Sequence, residues 1–354
     1  MLRPLAAGLL LICVGACRPA ADEFAQVSLF AMATTVDLTL PAAALREHPE
    51  LVADIESELQ AFGTDYYAWG DGELARLSRI LTVPGSPPIN TNPPQVSVSP
   101  ELAALLVRAQ EITRISGGAF DPGVGPLVEL WGFNDALDPG SSPPAAEAIA
   151  RLQAEALSLL ELEIANSAVS RRRAGPLLLD LGGIAKGAAV DRVVAQIEAV
   201  GVSPALINAG GDLRVVGERE DRAWRIGIQA PRDDGLLGTI RLHAGEAAFS
   251  SGDYERYYER DGERLHHILD PRTGFPVTHT QAVTVIADDG TTADAAATAL
   301  FVAGPEQWRD LAAALDIVAV LRVDSEGRVE LTDAMRDRFQ PDPDAGSDII
   351  AAGY

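Results

Sequence analysis

The sequence contains almost no lysine. Of its 28 basic residues all but one are arginine, and the exception is Lys186. A genomic preference for arginine codons explains the missing lysines but not the one that is present. Because an ammonium group is more compact and more strongly hydrated than a guanidinium, a lone lysine indicates a site where arginine does not fit.

Cysteine is also scarce, with two residues, both near the amino terminus. The apolar run over 5–14 is too short to span a bilayer and is typical of a secretion signal. It ends in Val14-Gly15-Ala16-Cys17, which is typical of a bacterial lipobox. We predict a signal peptide over 1–16, a lipid on Cys17 and a tether over 17–25, so that the mature chain has no disulfide. An ordinary signal peptide with an incidental cysteine is the alternative.

The rest of the chain has no long apolar run and no net positive charge. No later segment reaches membrane-spanning length. The net charge of −23 argues against nucleic acid as a partner. An acidic protein that binds an anionic nucleotide needs a metal ion or backbone amides at the site. Length and 47% hydrophobic content predict a single compact domain over 26–340, or two intimately packed lobes within it, and a polar tail over 341–354.

Hydrophobic periodicity divides the chain into a helix-rich first half and a strand-rich second half. Helices are predicted over 42–61, 72–81, 99–116, from about 145 to 159, 186–200, 292–302 and 305–315. Strands are predicted over 26–40, 177–181, 205–208, 213–216, 224–228, 239–243, 246–250 and 282–287, with a closing hairpin over 317–323 and 328–331. Because no parallel βαβ run recurs, the predicted class is α+β, with mixed or antiparallel sheets flanked by helices.

Two glycine-rich segments indicate a ligand site. In the first, over 117–126, glycines allow close backbone approach, and Phe120 and the following Trp131 can wall a planar ring. The same composition fits a tight loop that closes a core. In the second, over 179–187, a glycine turn opens a helix, whose free N–H groups favour an anion. Asp180 and Lys186 flank that turn, although an exposed lysine at a helix start is the alternative.

Another close-approach turn is expected at Asn208-Ala209-Gly210-Gly211-Asp212, and a histidine-rich segment follows. His266 and His267 are adjacent, so in an extended chain they point to opposite faces and one of them lines a given site. Histidine suits general-base catalysis near neutral pH. Surface histidines on a turn are an alternative. A zinc site is another, although cysteine clusters and HExxH patterns are absent.

Asp294 and Thr298 are four residues apart near the start of a predicted helix. That spacing places both oxygens on one helical face, and hard oxygen ligands suit Mg²⁺. A helix cap followed by a small buried threonine is the alternative.

Taken together and in order, these segments resemble the FAD:protein FMN transferase (ApbE) family. The resemblance spans about residues 26–323. It is carried by the segments 119–122, 131–133, 180–191, 210–212, 251–254, 267–274 and 294–298. It implies a T-fold-related architecture and export as a lipoprotein to the bacterial cell envelope, on the periplasmic face.

The resemblance also implies residue roles. FAD would contact the side chains or backbone of Met32, Trp69, Ala119, Phe120, Asp121, Asp180, Lys186 and Ile268. Mg²⁺ would be held by the Gly183 carbonyl, Asp294 and Thr298, and His267 would be the base. Ala33 and Ser78 depart from the family pattern, which usually has glycine and asparagine there.

The implied reaction is the Mg²⁺-dependent transfer of FMN from FAD to a threonine or serine hydroxyl of an acceptor protein, with release of AMP. Acceptors in the family carry an Asp-x-x-Ser/Thr-Gly-Ala-Thr type motif and are often subunits of membrane electron-transfer complexes. The motif is absent from this chain. Two alternatives remain at this stage: hydrolysis of FAD to FMN and AMP, and a non-catalytic exported flavin-binding lipoprotein.

Overall fold

The structure, a computed structural model, describes residues 24–82, 95–134, 142–219, 222–345 and 349–350. The helices are α1 Ala42–Glu47, α2 Leu51–Asp65, α3 Glu73–Thr82, α4 Pro100–Ile115, α5 Gly125–Trp131, α6 Ala146–Glu155, α7 Ala185–Ala199, α8 Gly290–Ala303, α9 Trp308–Ala314 and α10 Asp333–Arg336. The strands are β1 Phe24–Ala31, β2 Thr34–Pro41, β3 Val96–Ser97, β4 Leu162–Ala165, β5 Ala168–Arg171, β6 Ala205–Ala209, β7 Asp212–Val216, β8 Trp224–Gln229, β9 Leu236–Leu242, β10 Ala247–Gly252, β11 Tyr257–Arg260, β12 Glu263–His266, β13 Thr280–Ala287, β14 Ala319–Asp324, β15 Val329–Leu331, β16 Gln340–Pro341 and β17 Ile349–Ile350.

A nine-stranded sheet in the order β1-β2-β6-β7-β10-β13-β14-β15-β17 forms the centre of the fold. All neighbours in it pair antiparallel except β15 and β17. Smaller sheets are formed by β11-β12, by β16-β9-β8 and by β3-β5-β4. The predicted α+β class with mixed and antiparallel sheets is confirmed.

The two faces of the central sheet bury different partners. Helix α8 packs on one face against β10 and β13 and also contacts α7. Its alanine-rich sequence allows this close approach, and nearly every residue of α8 is buried. On the other face, β8, β9 and α10 cover a second apolar cluster that includes Ile240, Leu321 and Met335. The central sheet is therefore buried on both faces.

The amino-terminal segment predicted as one strand is a hairpin. Strands β1 and β2 pair in register on either side of a two-residue turn, Met32-Ala33. Both turn residues have positive φ, 51° and 59°. Two-residue turns that match the twist of a hairpin require left-handed residues, which favours glycine. The apolar alternation continues through the turn and conceals it. Similarly, the helix predicted over 42–61 is divided into α1 and α2.

The strand predicted over 177–181 does not form. The backbone N–H groups of Leu177 and Leu179 donate to the hydroxyls of Thr82 and Ser78 on α3, both at 3.1 Å. The next N–H, of Asp180, donates to the Pro122 carbonyl at 2.8 Å. The segment is extended, but two of its backbone N–H groups form hydrogen bonds with side chains of α3 and not with the backbone of a neighbouring strand. The departure at Ser78 thus holds the chain just before the glycine turn.

Several short elements have no counterpart in the predictions. They are the β4–β5 hairpin, the β11–β12 hairpin and the edge strands β16 and β17, which lie in the region expected to be a polar tail. Within the described residues, no helix is long and apolar enough to cross a membrane. The predicted signal peptide, Cys17 and most of the tether lie outside the described residues, and the domain boundaries remain predictions.

The left-handed Ala33 leads to a prediction about stability. We expect Ala33→Gly to raise the free energy of unfolding by about 1 kcal/mol, because glycine removes the Cβ clash of a left-handed residue. Urea denaturation without ligand measures the change. Ala150→Gly, at an exposed position in the middle of α6, is the control and should lower stability by a similar amount. A loss of stability in Ala33→Gly would contradict the assigned turn.

Candidate active site

A cavity of about 1090 Å³ opens at the end of the central sheet where the β1–β2 and β6–β7 turns lie. It is lined by every residue to which the family resemblance assigns a role as a FAD contact, a metal ligand or the base. These residues are Met32, Trp69, Ala119, Phe120, Asp121, Asp180, Gly183, Lys186, His267, Ile268, Asp294 and Thr298. These residues come from six separate segments of the chain. The fold brings these segments together at one cavity.

The cavity floor depends on the close crossing of α7 and α8. A Cβ atom added to Gly187 would lie 2.0 Å from the Gly290 carbonyl oxygen, and one on Gly290 would lie 2.8 Å from the Gly187 carbonyl oxygen. Neither position admits a side chain unless the helices separate. The crossing brings Lys186 on α7 next to Asp294 on α8.

Asp191 fixes the start of α8 on α7. Its carboxylate accepts hydrogen bonds from the Gly290 and Thr291 N–H groups at 2.7 and 2.9 Å and from the Thr291 hydroxyl at 2.6 Å. It also forms an ion pair with Arg214 on β7. An acidic side chain from another helix therefore caps α8 and neutralises its positive end.

Lys186 forms an ion pair with Asp212 at the start of β7. Asp212 is buried, and its other oxygen accepts from the Ser250 N–H at 2.8 Å. Burial opposes the charge on Lys186, but the carboxylates of Asp212 and Asp294 outweigh it and raise the pKa of the lysine. Lys186 is therefore a half-buried, charged residue that pairs with Asp212 and is further stabilised by the charge of Asp294.

Asp294, Thr298 and Gly183 form a group of oxygen donors. One carboxylate oxygen of Asp294 accepts from the Gly187 N–H at 2.9 Å. A Cβ atom on Gly183 would lie 2.9 Å from the Thr298 hydroxyl, so the glycine lets the 183 backbone approach that oxygen. Burial raises the pKa of Asp294 to about 7 even though Lys186 acts in the opposite direction. The carboxylate is thus short of positive charge.

The glycine turn before α7 departs from a simple anion site. The N–H of Gly182 donates to Asp180 at 2.9 Å, and that of Gly187 donates to Asp294. Burial raises the pKa of Asp180. Carboxylates of the protein therefore occupy two backbone donors that the sequence suggested for a ligand anion.

His266 and His267 divide as the extended chain predicts. His267 lines the cavity, and its Nδ1 is buried without a hydrogen-bond partner among the described residues. Burial, the Arg256 charge and His266 hold the pKa of His267 well below its usual value. The imidazole is therefore neutral near pH 7.

His266 has a structural role that its sequence position does not reveal. It is buried, its Nε2 contacts the Val277 carbonyl at 2.6 Å and its Nδ1 accepts from the Ile268 N–H at 3.2 Å. Through these two contacts the His266 side chain supports the loop that carries His267.

The aromatic residues also separate into two groups. Phe120 and Trp69 line the cavity. Trp131 does not, because its indole N–H donates to the Gly274 carbonyl at 2.8 Å and its ring packs with Phe133. Trp131 therefore belongs to a loop that closes a core, which was the alternative to a ligand site for this segment. Asp121 lines the cavity and also accepts from the Gly123 and Leu159 N–H groups, at 2.8 and 2.9 Å.

Asp212 and Arg256 are charged cavity residues to which the sequence assigned no role. Asp212 lies in a turn segment that the resemblance includes, but nothing in the sequence indicates that it pairs with Lys186. Arg256 follows the Ser251-Gly252-Asp253-Tyr254 segment, and nothing distinguishes it from the other arginines by sequence alone. Its place in the cavity depends on the β11–β12 pairing.

The cavity thus combines an aromatic wall, a neutral histidine and a group of oxygen ligands on and near α8. The comparisons with known proteins agree. Residues 32–321 match the model of the ApbE family, and the chain belongs to that family.

The relatives bear names that specify an activity. A protein from Rhodobacter capsulatus named FAD:protein FMN transferase is 38% identical over 296 residues, which are 82% of this chain and 54% of that protein. The chain thus spans about half the length of that relative. A protein of the same name from Haemophilus influenzae is 30% identical, with 82% of each chain covered. The crystal structure of the ApbE protein from Thermotoga maritima superposes with a TM-score of 0.78 at 29% identity, covering 90% of this chain and 100% of that one.

Proposed function

We propose that this protein transfers FMN from FAD to a threonine or serine hydroxyl of an acceptor protein. The observation that carries the proposal is the placement of neutral His267 in the same cavity as Phe120, Lys186 and the oxygen donors on α8. Family membership and the names of the relatives support the choice of FAD as substrate and of an acceptor protein as partner.

In the proposed step the acceptor hydroxyl attacks the FMN-side phosphorus of FAD. A bond forms between the acceptor oxygen and this phosphorus, and the bond from the phosphorus to the bridging oxygen breaks. AMP leaves, and the hydroxyl proton moves to His267. A base must carry no proton before the step, and the low pKa of His267 meets that requirement near neutral pH.

The donors on α8 fit Mg²⁺. The buried Asp294 carboxylate, the Thr298 hydroxyl and the nearby Gly183 carbonyl are hard oxygen ligands of the kind that this ion prefers. No three His, Cys, Asp or Glu side chains of the described residues converge on a metal position, and the proposed set has one carboxylate, one hydroxyl and one carbonyl. When bound, Mg²⁺ would supply positive charge to the pyrophosphate.

The natural acceptor is proposed to carry an Asp-x-x-Ser/Thr-Gly-Ala-Thr type motif, as in subunits of membrane electron-transfer complexes. The enzyme is proposed to reach such subunits from the periplasmic face of the cell envelope, held there by a lipid on Cys17. Both proposals rest on the sequence motifs and on family membership.

The function is tested by incubating FAD, Mg²⁺ and an acceptor peptide with the enzyme and weighing the peptide by mass spectrometry. We expect His267→Ala to lower the transfer rate by about 10²–10⁴-fold, because the general base is lost. His243→Ala, at an exposed histidine, is the control and should match the wild type.

Further outcomes separate the alternatives. Release of FMN and AMP with no gain in peptide mass would show that the enzyme hydrolyses FAD and does not transfer FMN. Full transfer in His267→Ala would remove the assigned base. The wild-type kcat/KM should stay level as the pH falls to 6.5, the usual pKa of histidine, since burial lowers that of His267. A fall with a midpoint at or above 6.5 would contradict this.

Asp294→Asn tests the metal site while retaining an oxygen that can accept from the Gly187 N–H. We expect Mg²⁺ affinity, measured by calorimetry, to fall at least about tenfold and transfer to depend steeply on added Mg²⁺, because the charged ligand is lost. Asp288→Asn makes the same charge change at an exposed neighbour and is the control. Wild-type metal affinity in Asp294→Asn would refute the site.

Cys17→Ser tests the anchor. We expect the variant to lose the mass of the lipid and to move from the membrane fraction to the soluble fraction or to keep its signal peptide, because the acylated thiol is missing. Mass spectrometry and cell fractionation measure these changes. An unchanged mass and unchanged fractionation would show that Cys17 is not the attachment point.

A further inference from the structure

Two cationic side chains line the cavity within the described ranges, Lys186 and Arg256. Lys186 is already paired with Asp212. Arg256 is exposed and forms no ion pair with a carboxylate of the described chain. The one hydrogen bond of its guanidinium runs from Nη1 to the Phe133 carbonyl at 2.9 Å. Arg256 therefore brings to the cavity an anchored positive charge that forms no ion pair, although it acts on the Asp180 carboxyl and opposes the rise of its pKa.

The β11–β12 pairing places Arg256 beside His267. The last ladder pair is Tyr257 with His266, so the next pair outward is Arg256 with His267. The His267 N–H donates to the Arg256 carbonyl at 3.1 Å and continues the ladder by one residue. Side chains directly opposite each other in an antiparallel pair lie on the same face. Both face the cavity, which agrees with the lowering of the His267 pKa by the Arg256 charge.

The cavity is otherwise rich in negative charge. Its acidic lining residues are Asp121, Asp180, Asp212, Asp294 and Glu255. The Gly182 and Gly187 N–H groups donate to carboxylates and not to a ligand. A phosphate that enters this cavity therefore depends on a cation that the protein has not already paired. A guanidinium suits it, since its planar donors match phosphate oxygens in pairs.

Building on the FMN transfer proposed above, we infer that Arg256 is a further catalytic residue, which binds the FMN-side phosphate of FAD. His267 must reach the hydroxyl that attacks this phosphorus, and Arg256 is its neighbour in the ladder. The guanidinium keeps its proton throughout. It stabilises the negative charge of the phosphoryl oxygens during the transfer of FMN from AMP to the acceptor oxygen.

The test compares ligands that contain or lack this phosphate. Purified Arg256→Gln is titrated with FMN, riboflavin and AMP, and transfer from FAD is measured in parallel. We expect FMN affinity to fall at least about tenfold while riboflavin and AMP affinities stay within about twofold. The kcat for transfer should fall by about 10²–10³-fold, the usual effect of losing one charge-stabilising donor. Arg256→Lys should recover part of both losses, because the charge returns without the paired donors.

Arg260→Gln is the matched control, since Arg260 lies on β11, which Arg256 directly precedes, pairs with Glu263 in the ladder and does not line the cavity. It should bind all three ligands and transfer FMN as the wild type does. Equal losses of FMN, riboflavin and AMP affinity in Arg256→Gln would overturn the inference in favour of a structural role. Unchanged FMN affinity with a raised KM for the acceptor would overturn it in favour of an acceptor contact.

Failure of the proposed function has a different signature. A wild-type protein that does not modify the acceptor, but whose FMN affinity still depends on Arg256, would refute the transfer reaction and retain the phosphate contact. A wild-type enzyme that transfers FMN, with Arg256→Gln equal to it in FMN affinity and kcat, would refute the inference alone.

Discussion

The contact on which the site depends is the crossing of α7 and α8 at Gly187 and Gly290. At this point the two backbones touch, with no room for a Cβ atom on either residue. Because the helices are so close, Lys186, which precedes Gly187, comes to lie near Asp294, one turn after Gly290. Asp191 keeps the crossing in place by capping α8 from α7. The placement of Lys186 beside Asp294 is thus a consequence of helix packing.

This crossing also determines the electrostatics of the cavity. It buries carboxylates next to one ammonium, and burial raises the pKa values of Asp180 and Asp294. A desolvated carboxylate is stabilised by a nearby cation. Lys186 supplies part of this charge, and the raised pKa of Asp294 shows that the balance is incomplete. In the proposed function a metal ion at α8 would supply the remaining positive charge, and the phosphate would be bound by a cation that forms no ion pair with the protein.

The residues that the family resemblance singled out, among them His267, Asp294 and Lys186, line one cavity, whereas several elements around them were not predicted. The sequence did not reveal the turn at Met32-Ala33, since the apolar alternation of the two strands continues without a break. It could not locate Arg256 either, because that position follows from strand pairing over a distance and the residue type is common in this chain. Short sequence motifs indicate which residue types can bind a ligand, whereas contacts that depend on the pairing of distant strands cannot be predicted from them.

The two adjacent histidines show how the fold assigns different work to identical side chains. His266 is held between the Val277 carbonyl and the Ile268 N–H, so it ties together the two ends of the loop. The Leu269–Pro276 bridge closes the same loop. Burial lowers the pKa of His266 below its unfolded value. As the pH falls below that unfolded value, the unfolded chain gains a proton that the folded loop resists, and the folded state loses stability. The proposed base His267 lies on this loop, so its position depends on the contacts of a neutral His266.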